Sequence, residues 1–151
     1  MPTHYKGTAD EVLALNTVIK LNRSANALQS HLHSLIQKDF GITESQFAVL
    51  EALNHLGPLS QGQLCQKILK SGSNVTTVID NLEGKRLVRR DRNEEDRRVQ
   101  IVTLTEQGRE LIAAAFPVHV GRVTQLLRIL TPAEQQELGR ICRKLGKSLP
   151  T

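Results

Sequence analysis

Apolar residues return at alternating steps of three and four along the early part of the chain: Val18, Leu21, Ala25, Leu28, Leu32 and Leu35. That spacing predicts a long helix whose apolar stripe packs lengthwise on another helix. Burying each Leu-sized side chain stabilises by roughly 1.5 to 3 kcal/mol, so the stripe is expected to be covered. Gly41 suits a left-handed C-terminal cap and ends this helix. Thr43 with Gln46, and Ser60 with Gln63, have the spacing of reciprocal capping boxes and open a second and a third helix, separated by the break at Gly57 and Pro58. Phe47, Leu50 and Leu53 are expected to face inward from the second helix, and Leu64, Cys65 and Ile68 from the third.

Ser71 and Gly72 form the next turn. Beyond it, Val75, Val78, Ile79 and Leu82 follow the spacing of one buried helical face. Ser73, Asn74, Thr76, Thr77 and Asn81 are left on the other side. Solvent-facing helix surfaces usually carry Glu and Lys. A run of short hydroxyl and amide side chains suits close approach to a surface rich in donors and acceptors, such as the DNA major groove. Leu87 to Arg90 and Val99 to Leu104 then read as two strands, the second with Val99, Ile101 and Thr103 on one face. The polar stretch from Asp91 to Arg98 forms the tip of a two-stranded wing. Asp96 is placed to hold the Arg98 guanidinium extended through a bidentate pair, ready for a narrow, electronegative minor groove; as a solvated surface ion pair it is worth under about 1 kcal/mol.

Thr105 caps a fifth helix with Leu111, Ile112, Ala115 and Phe116 on its apolar face. Pro117 lies inside the continuing pattern and is expected to bend or interrupt it. Thr131, Pro132 and Glu134 supply the cap, first-turn proline and acid of a sixth helix, whose apolar side is Leu138, Ile141, Cys142, Leu145 and Leu149. Nothing else in the sequence is available to cover the apolar ends, so helices one, five and six are expected to interlock with a second copy of the chain. The fold class is mainly α with a small β-wing: a winged helix-turn-helix over residues 43–105, flanked by dimerisation helices at 10–40 and 106–149, with 1–151 as one chain.

Composition narrows the function. Hydrophobic residues at 39% and charged residues at 23% are those of a folded chain rather than a disordered one. The formal net charge is +5. Between Lys85 and Arg98 there are seven basic and four acidic residues, so most of the excess sits in and around the wing. The chain has no run apolar enough for a membrane span and no signal-peptide pattern, which implies a cytoplasmic protein without a membrane partner. Cys65 and Cys142 have no paired spacing and read as two reduced core thiols. Five scattered histidines, with no Ser/His/Asp arrangement, glycine-rich phosphate loop or HExxH, argue against an enzyme, and no catalytic residue or cofactor is expected. His31 and His33 lack the i, i+4 spacing a helix offers to zinc, so no metal site is expected. Aromatics at 3% with no Trp leave few stacking platforms for single-stranded RNA, which favours duplex DNA.

Three stretches carry a resemblance: Gly41-Ile-Thr-Glu-Ser-Gln-Phe47, Ser71-Gly-Ser-Asn-Val-Thr-Thr-Val-Ile-Asp-Asn-Leu82, and Asp96-Arg-Arg98 followed by Leu104-Thr-Glu-Gln-Gly108. Together they resemble the multiple-antibiotic-resistance regulator (MarR) family of winged-helix transcription factors, over nearly the whole chain. The resemblance implies a homodimer that binds a palindromic double-stranded operator and is released by a small phenolic or quinone-like effector. It implies that helix four, through Ser73, Asn74, Thr76, Thr77 and Asn81, reads the major groove. Arg98, held by Asp96, would enter the minor groove, and Lys85, Arg89, Arg90 and Arg97 would meet phosphates. Asp80 does not fit a simple groove-facing role; it accepts from a base, pairs with an Arg or turns aside. An effector crevice would include His33, Phe47 and Phe116. The N-terminal reactive cysteine of peroxide-sensing members is absent. Two alternatives stand beside this reading: a metal- or redox-responsive regulator, and a winged-helix protein-interaction module without sequence-specific DNA binding.

Overall fold

The computed structural model describes residues 3–68 and 74–149. In chain order its elements are α1 (Ala9–Phe40), α2 (Glu44–Leu56), β1 (Leu59–Ser60), α3 (Gln61–Ile68), α4 (Val75–Gly84), β2 (Val88–Arg92), β3 (Gln100–Leu104), α5 (Glu106–Leu127) and α6 (Pro132–Ser148). The chain divides into two compact units, residues 1–115 and 116–151, and the division falls within α5. The expected turn at Ser71 and Gly72 lies outside the described residues.

The predicted helix starts are present. Thr43 and Gln46 form a reciprocal capping box at α2, and Ser60 and Gln63 exchange the same two bonds at 2.9 and 3.1 Å at α3. Gly41 ends α1 with φ of 66°, in the left-handed region where a side chain is disfavoured. In the first unit Ile36, Ile42, Leu50, Leu64, Ile79, Leu82, Val102 and Ile112 are fully buried, so both helices of the helix-turn-helix, the wing root and the start of α5 share one core.

Three features differ from the sequence expectation. The wing is a three-stranded antiparallel sheet in the order β1-β3-β2, because Leu59 and Ser60 pair with Val102 and Ile101. Val102 and Leu104 of β3 are buried, which leaves Val99, Ile101 and Thr103 together on the opposite face, as expected. Cys65 and Cys142 are exposed rather than core thiols. Leu64 occupies the inward position of α3, and one residue further turns the helix by about 100°, carrying Cys65 out. Helix α5 also continues through Pro117 instead of being interrupted there.

The junction between α4 and the wing depends on one left-handed residue and one glycine. Arg86 N–H donates to Glu83 O and Leu87 N–H to Leu82 O, both at 2.9 Å, closing α4 with a Schellman pattern. Arg86 takes the left-handed position usually held by glycine, with φ of 60°. The Thr105 hydroxyl donates to Arg86 O at 2.6 Å and accepts from Gly108 N–H at 3.0 Å, so one side chain anchors the wing root and caps α5. Here α5 lies so close to the backbone that a Cβ at Gly108 would stand 2.0 Å from Leu87 O.

In the second unit, Thr131 and Glu134 form the predicted capping box of α6, with Pro132 in the first turn. Hydrogen bonds from the Thr131 backbone, then from its hydroxyl, hold the Glu134 carboxyl below the ordinary carboxylate range. The contribution of this cap is therefore complete above the unfolded carboxylate pKa and fades as pH falls through the lowered folded value.

Gly108→Ala is expected to destabilise the first unit by roughly 1 to 3 kcal/mol, because the added carbon meets backbone that must move. A urea unfolding midpoint unchanged from the parent chain would contradict that close approach.

Candidate nucleic-acid interface

Helix α4 exists because its apolar positions seal one face against the core: Val75, Ile79 and Leu82 are buried. Its other positions divide into two stripes. Asn74, Thr77 and Asn81 are exposed and have no hydrogen bond or ion pair through their side chains among the described residues. They form an unobstructed row of short donors and acceptors. Thr76, Asp80 and Glu83, spaced i, i+4, i+7, form a second stripe, and all three meet Arg90 from β2. Ser73, the first residue of the expected reading set, lies outside the described residues.

Arg90 is fixed by strand alternation. Val88 points into the core, so Arg90, two residues on, leans to the same side of β2 and reaches α4. Its Nη1 donates to Glu83 Oε2 at 3.0 Å, and its Nη2 to Thr76 O at 3.3 Å and to Asp80 Oδ1. The side chain is only 16% exposed. Of the roles left open for Asp80, the structure therefore selects pairing with an arginine. Arg89 leans the other way and pairs at 3.0 Å with Asp91, its neighbour on that face. Lys85 donates through Nζ to Gly41 O at 2.7 Å, tying α4 to the end of α1.

At the wing tip, Asn93 N–H donates to Val99 O and Val99 N–H to Asp96 O, both at 2.9 Å. This turn holds Arg98 outward with its side chain 92% exposed. Asp96 does not form the expected bidentate pair with the guanidinium. A single oxygen, Oδ1, accepts from Arg98 N–H at 3.0 Å and from Arg98 Nε at 3.2 Å. The carboxylate therefore engages the start of the side chain and leaves both terminal nitrogens without a partner among the described residues. Arg97 is exposed beside it.

Between α4 and the wing lies an open groove of about 710 Å³, lined by Ser60, Gln61, Gly62, Cys65, Asn74, Val75, Thr76, Arg98, Val99 and Gln100. Gln61 and Gln100 were not singled out from the sequence. Gln61 opens α3 and donates through Nε2 to Thr76 Oγ1 at 2.7 Å. Its place at the start of α3 follows from the Ser60–Gln63 box, but its contact with a residue fifteen positions later does not.

His33, Phe47 and Phe116 are the expected effector residues. His33 Nε2 lies 2.6 Å from Glu44 Oε1. Phe47 is buried in the core of the first unit, and Phe116 is half-buried at the start of the second. Among the described residues no three His, Cys, Asp or Glu side chains cluster in a way that could hold a metal ion. No helix of the described chain is long and apolar enough to cross a membrane.

Comparison with known proteins agrees with this geometry. The family model described as MarR family matches residues 40–99, which contain α2 to α4 and the first half of the wing. The chain is 32% identical over 133 residues to the HTH-type transcriptional regulator MhqR of Bacillus subtilis, covering 88% of this chain and 91% of that one. Among solved structures it is similar to Sco3205, a MarR family transcriptional regulator of Streptomyces coelicolor crystallised with DNA, at 28% identity and a TM-score of 0.83, covering 100% of this chain and 94% of that one. It is also similar to BpsR of Bordetella bronchiseptica, whose DNA binding is regulated by 6-hydroxynicotinic acid, at 29% identity and a TM-score of 0.74, covering 86% of this chain and 98% of that one.

The position of Arg90 yields a prediction that separates it from its neighbours. Removing a phosphate contact should lower the slope of log affinity against log salt by about one. Arg97→Ala is expected to do so. Arg90→Ala is expected to leave the slope near its parent value and to lower unfolding stability by roughly 1 to 3 kcal/mol, because Asp80 and Glu83 lose their common partner. Equal slope changes in the two variants would return Arg90 to the phosphate-binding set.

Proposed function

The chain belongs to the MarR family of DNA-binding transcriptional regulators and is not an enzyme, and from that premise we propose that it acts as a homodimeric repressor of a palindromic operator. Each copy lays α4 in the major groove, with Asn74, Thr76, Thr77 and Asn81 toward the base edges, and sets Arg98 in the adjoining minor groove. The observation that carries this reading is an exposed polar row on α4 whose first member, Asn74, borders one groove together with Arg98, held outward at the wing tip. The strand of DNA separating the major from the minor groove would follow that groove, where Ser60, Gln61 and Gln100 offer neutral donors. Phosphate contacts supply most of the affinity and base-edge contacts the choice of sequence.

Support for the dimer comes from apolar side chains that a single chain leaves in water. Leu13, Val18 and Leu21 are exposed on α1. On α6, Leu138, Ile141 and Leu145 are exposed at i, i+3, i+7, and Leu149 is exposed just past its end. A continuous apolar stripe of this kind marks a protein interface rather than a solvated surface. Two-fold symmetry would then set the recognition helices about one turn of DNA apart, roughly 34 Å, and make the operator palindromic. Covering both grooves of a site blocks other proteins from it, which supports repression.

Release by a small phenolic or quinone-like molecule is the regulatory part of the proposal. The aromatic effector of BpsR supports it. In this chain His33 is the proposed contact, because an acidic aromatic ligand would compete with Glu44 for its ring nitrogen.

Selection of bound sequences from a random duplex pool tests the reading, and a recovered palindrome is the expected result. Arg98→Ala should weaken binding to that sequence by about 1 to 3 kcal/mol in a titration at fixed salt. Undiminished affinity would remove Arg98 from the minor groove. Leu145→Asp is expected to abolish dimerisation in sedimentation and to reduce operator binding with it; a dimer that survives would shift the interface away from α6.

A further inference from the structure

Thr76 is held at two atoms by residues from outside its own helix. Its carbonyl accepts from Arg90 Nη2 at 3.3 Å, and its Oγ1 accepts from Gln61 Nε2 at 2.7 Å. A threonine hydroxyl alone is chemically ambiguous, because it donates or accepts and rotates to suit its partner. Once its oxygen receives the Gln61 amide, its proton is directed away from that bond. One of the oxygen's two lone pairs is then occupied and the O–H is polarised as a stronger donor, so donation is the favoured way for the hydroxyl to meet its next partner. Both side chains border the groove between α4 and the wing, and Thr76 is exposed on α4.

The geometry points to Gln61 as a specificity-determining residue that acts from α3, outside the reading helix, by biasing the Thr76 hydroxyl toward donating to a base. This inference rests on α4 lying in the major groove. The base edges that accept a donor there are guanine N7 and O6, adenine N7 and thymine O4, whereas cytosine presents only its N4 amino donor. The base facing Thr76 is therefore selected against cytosine, and the selection requires Gln61 although Gln61 need not touch that base.

The test compares sequences recovered from a random duplex pool by the full chain, Gln61→Ala, Gln61→Glu and Thr76→Val. Gln61→Ala frees the hydroxyl to act either way, and discrimination against cytosine at one position of each half-site should fall about three- to tenfold, the range of one hydrogen bond. Thr76→Val should relax the same position. Gln61→Glu replaces the donor by a carboxylate that only accepts, so the Thr76 proton turns toward it and the preference should move toward bases presenting an amino group, cytosine or adenine. A simple loss of fold would weaken binding at every position without this reversal. A Gln61→Ala profile identical to that of the parent chain, a change confined to a different position from that of Thr76→Val, or a Thr76→Val profile without change would each overturn the inference. If the parent chain itself recovers no motif, the DNA-reading function fails first and takes this inference with it.

Discussion

One guanidinium sets the spacing between the two parts of this molecule that would meet DNA. Arg90 stands on the wing, yet three of its bonds end on α4, at Thr76 O, Asp80 and Glu83. A helix proposed for the major groove and a wing proposed for the minor groove would have to keep a constant separation for both to dock at once. Hydrophobic packing beneath them is non-directional and holds them only approximately. The forked, planar arginine adds direction, and its low exposure makes each charge-assisted bond stronger than a solvated pair. Asp80 and Glu83 are partly neutralised by this shared arginine, although both stay partly exposed.

The same economy of side chains appears at the wing root. Thr105 anchors Arg86, caps α5 and lies next to the close approach at Gly108. The start of α5 is thereby locked to the end of α4 through a few backbone groups. Rigid support of this kind suits a reading head whose side chains must be presented within fractions of an ångström.

Charge in this region is consequently less available than its abundance suggests. Lys85 holds Gly41 O, Arg89 pairs with Asp91, and Arg90 is the internal clamp. Arg97 is exposed, and Arg98 stands out in solvent with only the Nε of its side chain engaged among the described residues. The electrostatic attraction to a polyanion depends on the total charge, whereas specific contacts depend on the few groups left with free donors.

Local patterns were enough for the helices and their caps. The boxes at Thr43 and Thr131, the stop at Gly41, and the buried face formed by Val75, Ile79 and Leu82 each depend on residues within one or two turns of each other. The exposed row of Asn74, Thr77 and Asn81 was legible for the same reason. The third strand escaped because two residues, Leu59 and Ser60, carry no period of their own and become a strand only by pairing with β3. Apolar character alone points Cys65 into the core, whereas α3 turns Leu64 inward and its neighbour out. The sequence by itself determined which segments become helices and which faces they bury, since those follow from period and capping chemistry over short distances. Only the tertiary structure decided which charges pair and which remain free, because Arg90 meets Asp80 across ten residues and Gln61 meets Thr76 across fifteen. Contacts of that range depend on how the elements cross, and a linear pattern does not contain that angle.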